Sequence, residues 1–276
     1  MNKIVKTLFL LYLLISIDGK SQLGANKPIH HFGVDWFPEI YGGKDEIKRF
    51  LHDHLIYPAQ DFKDKKEGIV VLYFVVTQDG KAVNVQVAKS ATPAMDKEAI
   101  RLLSLLNDWI PASKDEKTIN ANNSFEVNFS ISKYKKAVKE RGFDTPLYTD
   151  LPTDTSLHIY ENAQQPPAFN SADKTFPEFV YSNLQYPETA VRQNIEGNVK
   201  LTFIVETDGQ VSNIKILNGV NGGCTFEAIR VIGLTKWKPA VRDNQYVRYK
   251  MPFTMGFSLK NNFKDNASGS QRSWGQ

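Results

Sequence analysis

A chain of 276 residues that is 41% hydrophobic is long enough for two small globular units and too apolar to be disordered throughout. Its 34 basic and 30 acidic side chains are dispersed, with no basic stripe and no interleaved aromatics, which argues against nucleic acid or any other polyanion as a partner. One cysteine, Cys224, excludes an internal disulfide, so the fold must rest on hydrophobic cores.

Lys3 and Lys6 precede an apolar run from Thr7 to Ile17, and the polar residues Asp18 to Gln22 follow. This is the pattern of a secretory signal peptide, residues 1–21, with Gly19 and Ser21 as the small residues before the cut. At 1.5 Å per residue, Ile4 to Ile17 spans only about 21 Å of a hydrocarbon core roughly 30 Å thick, so a permanent anchor is the weaker reading. No cysteine follows the run to carry a lipid. Cleavage leaves 31 basic and 29 acidic side chains and places the mature chain in the periplasm; a retained signal would leave it membrane-associated.

Next comes a helix, Asp45 to His54, and then the alternating run Ile69-Val71-Tyr73-Val75, read as a strand with one buried face. Asp79-Gly80 supplies a hairpin turn into Val83-Val85-Val87. A second helix spans Asp96 to Leu106, with Ala99, Leu102, Leu103 and Leu106 on one apolar face that covers the hairpin. It ends before Trp109-Ile110-Pro111-Ala112, and Phe125-Val127-Phe129-Ile131 forms a third strand. Lys133 to Arg141 reads as a short basic helix, and Thr145-Pro146, Leu151-Pro152 and Gln165-Pro166-Pro167 mark a semi-extended tether.

The order then repeats. Tyr57-Pro58, Gly68, Asp79-Gly80 and Glu98-Ala99-Ile100-Arg101 recur as Tyr186-Pro187, Gly197, Asp208-Gly209 and Glu227-Ala228-Ile229-Arg230, at the constant offset of 129 that separates Tyr57 from Tyr186. One residue is lost near Trp109 and Trp237. The second set has a helix at Lys174 to Asn183, a strand Val199-Leu201-Phe203-Val205, and a return strand Val211-Ile214-Ile216 with a bulge at Ser212-Asn213. A helix from Thr225 to Leu234 and a last strand from Val247 to Phe257 complete it. The expected fold class is α+β: two tandem copies of a small domain, each a three-stranded antiparallel sheet packed against two helices in the order α-β-β-α-β. The copies are expected at 28–133 and 162–260, joined by a linker at 134–161 and followed by a disordered tail at 261–276 rich in Asn, Ser, Gly and Gln.

No catalytic constellation is present: there is no Gly-x-Ser-x-Gly, no phosphate loop and no His-Glu-x-x-His, and Gly219 to Gly223 lacks dinucleotide spacing. Glu98 with Arg101, and Glu227 with Arg230, read as exposed helix ion pairs. His30-His31 and the His52-x-His54 spacing do not make a metal site, since residues two apart on a helix face different ways. Cys224 reads as a small buried side chain, with a thiol activated by the helix start as the alternative. No enzyme activity, metal, cofactor or small-molecule substrate is expected.

Gln164-Gln165-Pro166-Pro167-Ala168-Phe169, Tyr186-Pro187-Glu188-Thr189-Ala190, Gly197-Asn198-Val199, Asp208-Gly209-Gln210-Val211, Gly222-Gly223-Cys224, Trp237-Lys238-Pro239-Ala240 and Met251-Pro252-Phe253 closely resemble the TonB C-terminal domain of Bacteroidetes-type envelope proteins. The second copy resembles it along nearly its whole length. The first does so through Phe37 to Gly43, Tyr57-Pro58-Ala59, Asp79-Gly80 and Trp109 to Ala112, with Met95 in place of the cysteine. The resemblance implies a non-enzymatic periplasmic module that catches an extended segment of a TonB-dependent outer-membrane receptor, or of another envelope protein, as an added strand. Carried onto this chain, the docking edge is Tyr246, Val247, Arg248, Tyr249, Lys250 and Met251. The long proline-rich spacer of an energy transducer is missing, which favours an adaptor. The alternative is an envelope scaffold whose domains pair with each other or, as a homodimer, with a second copy.

Overall fold

The computed structural model describes residues 37–259, apart from 107, 143 and 145–147. The expected signal peptide, His30-His31, Thr145-Pro146 and the tail from 261 lie outside the described residues. In chain order the elements are β1 (Glu39–Ile40), α1 (Gly43–His54), α2 (Ala59–Lys63), β2 (Gly68–Val76), β3 (Ala82–Lys89), α3 (Pro93–Leu105), β4 (Trp109–Ile110), β5 (Ala112–Lys114), β6 (Lys117–Ile119), β7 (Ala121–Phe129) and α4 (Ile131–Arg141). There follow β8 (Ile159–Tyr160), β9 (Ala168–Phe169), α5 (Phe176–Asn183), α6 (Glu188–Arg192), β10 (Gly197–Val205), β11 (Val211–Asn218), α7 (Cys224–Gly233), β12 (Trp237–Lys238), β13 (Ala240–Arg242) and β14 (Gln245–Phe257). The α+β class is as the sequence predicts. The first sheet is ordered β3-β2-β7 and the second β11-β10-β14-β13, with β2 and β10 central and antiparallel to both neighbours.

Each copy closes its own core. Phe50, Leu72, Met95, Leu102, Leu103, Phe125 and Phe129 are sealed in the first; Leu201, Phe203, Cys224, Ala228 and Ile232 are sealed in the second. Met95 and Cys224 occupy equivalent places, so the first core fills with a longer thioether the space the second fills with a thiol. The Asp-Gly turn and the Trp-x-Pro-Ala motif are two ends of one contact: the amides of Trp109 and Trp237 donate to the carbonyls of Gly80 and Gly209 at 3.1 and 3.0 Å. Both glycines have φ near +80°, and a Cβ on either would meet the tryptophan carbonyl oxygen at 2.4 or 2.1 Å. Only glycine meets both conditions there.

Three readings need correction. The buried face of β2 is Val70, Leu72, Phe74 and Val76, not Ile69-Val71-Tyr73-Val75; Tyr73 is 51% exposed. The strand is apolar at every position from Ile69 to Val76, so a period of two cannot choose between the parities. The return strand Val83-Val85-Val87 is exposed along β3, the edge of the first sheet, although α3 packs against that strand. The expected bulge is present in both copies, with Asn84 and Asn213 in the left-handed region at φ 56° and 48°. Finally, the Glu–Arg pairs are clamps rather than surface pairs. Glu98 and Glu227 are only 9% exposed and accept the amides of Ile56 and Gln185, while Arg101 and Arg230 donate to the carbonyls of His54 and Asn183. Each clamp ties the end of one helix to the flank of the other.

The two copies meet through charge and through Tyr41, which packs against the second core. Arg49, held between Glu46 and Asp53 on α1, donates to the carbonyls of Val211 at 3.0 Å and Gly233 at 3.4 Å in the second copy. His54 lies 3.4 Å from Asp208, and Lys236 lies 3.7 Å from Asp53. Asn213 donates to the Leu105 carbonyl at 2.7 Å. Burial disfavours ionised Asp53, but His52, Lys236, Arg49 and His54 outweigh it and hold the carboxyl well below the usual range. Asp208 is likewise held low against its burial by His54, the Gln210 amide and Arg101. A carboxyl with a depressed folded value adds stability above its unfolded value, near 4, and withdraws it as pH falls toward the folded value. Docking of the copies is therefore expected to be intact at pH 7 and to loosen progressively below about pH 4. X-ray scattering should then show a growing radius of gyration with far-UV dichroism retained, and Asp53→Asn should flatten that pH dependence.

Candidate functional site

β14 is the longest strand among the described residues, and it changes partners along its length. Gln245 to Val247 fold back on β13 through a turn with Asp243 and Asn244 in the left-handed region, at φ 50° and 61°. Tyr249 to Phe257 pair with β10. Pro252 lies within the strand, and a residue without an amide hydrogen is tolerated there only because one side of the strand is not a central ladder.

All six predicted docking residues lie on β14, and four of them are already engaged. Tyr246 pairs with Val241 of β13 and also with Thr153 of the linker: its amide donates to the Pro152 carbonyl at 2.8 Å, and its carbonyl accepts from the Asp154 amide at 2.9 Å. Its hydroxyl donates to Asp150 at 2.8 Å, and burial, with that bond, pushes the phenol up to about 12. Val247 is buried against β13, opposite Ala240. Arg248 and Tyr249 pair in parallel with Ile159 and Tyr160 of β8. Tyr249 therefore has strand partners on both sides, Val205 and Tyr160. Its hydroxyl donates to the Glu161 carbonyl at 2.8 Å, and Lys250 reaches the Glu161 carboxylate at 3.1 Å. From Lys250 and Met251 onward, β14 has β10 on one side and no second strand among the described residues.

Arg248 is the junction of the site. Its guanidinium forms a two-point pair with Glu206, both bonds at 2.7 Å, and the two side chains are only 3% and 4% exposed. It also donates to the carbonyl of Leu105, at the end of α3 in the first copy, at 2.9 Å, and to that of Leu157 in the linker at 3.0 Å. Ser212 adds a hydroxyl to the Glu206 carboxylate. One arginine thus joins both copies and the connector. Reading the sequence for edge strands found Arg248 but missed Glu206, Asp150, Leu157, Tyr160 and Glu161. The only local trace of their role is the short alternation of Leu157 and Ile159 with His158 and Tyr160.

The first copy departs here. Its third strand, β7, starts after Asn120, whose side chain accepts the Gln78 amide, and no arginine stands at the junction. β7 pairs with β2 alone among the described residues and exposes Asn122, Ser124, Glu126 and Asn128.

The other candidates do not gather into a site. His52 bonds Asp53 and Glu140, whereas His54 is buried against the Val211 carbonyl, and no cluster of metal-ligating side chains occurs among the described residues. Cys224 is fully buried, and burial pushes its thiol up to about 11, against the activated alternative. No described helix is long and apolar enough to cross a membrane.

The described residues thus form two small α+β units, each an antiparallel sheet packed against helices, with strand edges at β3, β7 and part of β14. The chain belongs to the family of the Gram-negative bacterial TonB protein C-terminal, whose model matches residues 53–131 and 182–259, together more than half of the chain. Among solved structures, the solution structure of the Helicobacter pylori TonB C-terminal domain is similar at 22% identity, over 29% of this chain and 74% of that one, with a TM-score of 0.23. No curated protein matches the chain.

Proposed function

We propose that this chain is a periplasmic, non-enzymatic adaptor whose second copy takes an extended segment of an outer-membrane transporter as an added strand along β14, from Tyr246 to Met251. The family's domains generally interact with other envelope proteins, outer-membrane receptors among them. The observation that carries the reading to this edge is that β14 already receives an extended segment by main-chain hydrogen bonds, namely the chain's own linker. Main-chain pairing of this kind supplies affinity without demanding one sequence, and the side chains beside it supply selectivity. A second reading, an envelope scaffold, draws on the Arg49 and His54 contacts that join the copies.

The test is a pull-down from solubilised outer membranes with residues 22–276 as bait, in the natural sequence and with the linker contacts removed by Asp150→Ala, Tyr160→Ala and Glu161→Ala. Capture of a TonB-dependent transporter, identified by mass spectrometry and displaced by excess synthetic peptide of residues 150–161, is the expected result. If neither folded bait captures a transporter, the reading fails.

A further inference from the structure

The segment from Asp150 to Glu161 is held to β14 in the way a bound peptide is held. Its backbone pairs at Pro152, Thr153, Asp154, Ile159 and Tyr160. Its side chains make three contacts of distinct chemistry: Asp150 accepts from the Tyr246 hydroxyl, Tyr160 lies under the Arg242 guanidinium at 4.9 Å, and Glu161 meets Lys250. Connectivity does not demand this course. The 27 residues from Arg141 to Ala168 could reach about 90 Å if extended, so the chain has slack to cross elsewhere. Nor is the segment core. Pro152, Thr153, Leu157, His158 and Glu161 are exposed. Leu157, which presents its carbonyl to Arg248, sits at φ 62°, a left-handed conformation that a leucine side chain disfavours.

We infer that the linker is a built-in competitor: the β14 edge is closed at rest by Asp150–Glu161 and takes a partner by strand exchange, the partner being an extended peptide that runs parallel to β14 and carries an aromatic residue followed by an acidic one at the register of Tyr160 and Glu161. The inference rests on the proposed function only in assigning the edge to a peptide partner. A tethered strand acts at an effective concentration in the millimolar range, which keeps the edge shut against weak ligands. A ligand that binds only the open form then shows an affinity reduced by the open fraction, so weakening the tether should tighten apparent binding without a new contact. The exposed position of the segment and the strained leucine fit a strand made to leave. The aromatic and acidic contacts select what replaces it.

The probe is a fluorescein-labelled synthetic peptide of residues 150–161, followed by anisotropy with the whole chain. The variant Asp150→Ala/Tyr160→Ala/Glu161→Ala alters only the linker and is expected to bind the probe about tenfold or more tighter than the natural chain. A second variant, Tyr160→Cys/Tyr249→Cys, places thiols at directly paired positions. When oxidised it should bind no probe, and reduction of the same sample should restore binding, with buried Cys224 uninvolved. Equal binding in the oxidised and reduced samples, or no tightening in the linker variant, overturns the inference. Both readouts use the synthetic peptide, so they stand apart from the pull-down: an edge that exchanges strands yet captures no transporter refutes the transport reading alone.

Discussion

Arg248→Ala is expected to lower the unfolding free energy by about 3–5 kcal/mol. The cause is less the lost attraction than the Glu206 carboxylate left buried without its counter-ion. The Leu105 and Leu157 carbonyls lose a donor in the same step, so the second core, the docking of the copies and the linker strand weaken together. Urea denaturation should show the midpoint falling. Replacing both partners, Arg248→Met with Glu206→Leu, should recover most of the loss because no charge is then stranded. A single variant within about 1 kcal/mol of the natural chain would mean that water reaches the pair, which lies outside the range for a buried one.

Trp237→Ala is expected to cost a further about 3–5 kcal/mol, by a different route. The indole lies against Phe169, Phe176 and Phe203 at ring separations of 5.5, 5.0 and 5.7 Å, and its ring nitrogen donates to Thr235 at 2.8 Å. Its removal opens a cavity where three rings converge, and rigid rings cannot collapse into it. Trp109, the counterpart in the first copy, faces one ring among the described residues, Phe74 at 5.1 Å, so Trp109→Ala should cost less. Calorimetry reads the difference directly: Trp237→Ala should move the unfolding of the second copy further than Trp109→Ala moves that of the first. Equal shifts would mean that the aromatic cluster adds nothing beyond area.

What the sequence disclosed is what has a period or a local chemistry. The offset of 129 announced two copies, Asp79-Gly80 and Asp208-Gly209 announced hairpins, and the spacing of Ala99, Leu102, Leu103 and Leu106 announced a buried helix face that is indeed closed to solvent. The helix starts were legible to within a few residues, and Thr175 with Glu178 forms the capping box that sets the start of α5. The parity of β2 was not legible from its own run, since every residue there is apolar. It was legible from the repeat, because Val70 stands opposite Val199 in the 129 offset. The short helices α2 and α6 after the Tyr-Pro pairs, at five residues each, are too brief to leave a periodic trace.

The site was legible in part. A long final strand with a proline near its middle reads as an edge, and the six docking residues do lie together on β14. What occupies that edge was invisible, because the contact between the linker and β14 joins residues nearly ninety apart with no pattern in either. The charged seam between the copies was hidden for the same reason. Arg49, His54, Asp208 and Lys236 each read as ordinary polar residues until folding brings them to one plane.

That seam also gives the pair of copies a direction. Arg49 reaches the second copy because Gly233 leaves room for it; a Cβ at Gly233 would lie 2.5 Å from the arginine side chain. At the matching places, 129 residues away, Glu178 stands for Arg49 and Ser104 for Gly233. Glu178 caps its own helix through the Thr175 amide, so the second copy presents a carboxylate where the first presents a guanidinium. The tandem is a front and a back: the face that offers a guanidinium in the first copy offers a carboxylate in the second, and the glycine that receives it in the second is a serine in the first.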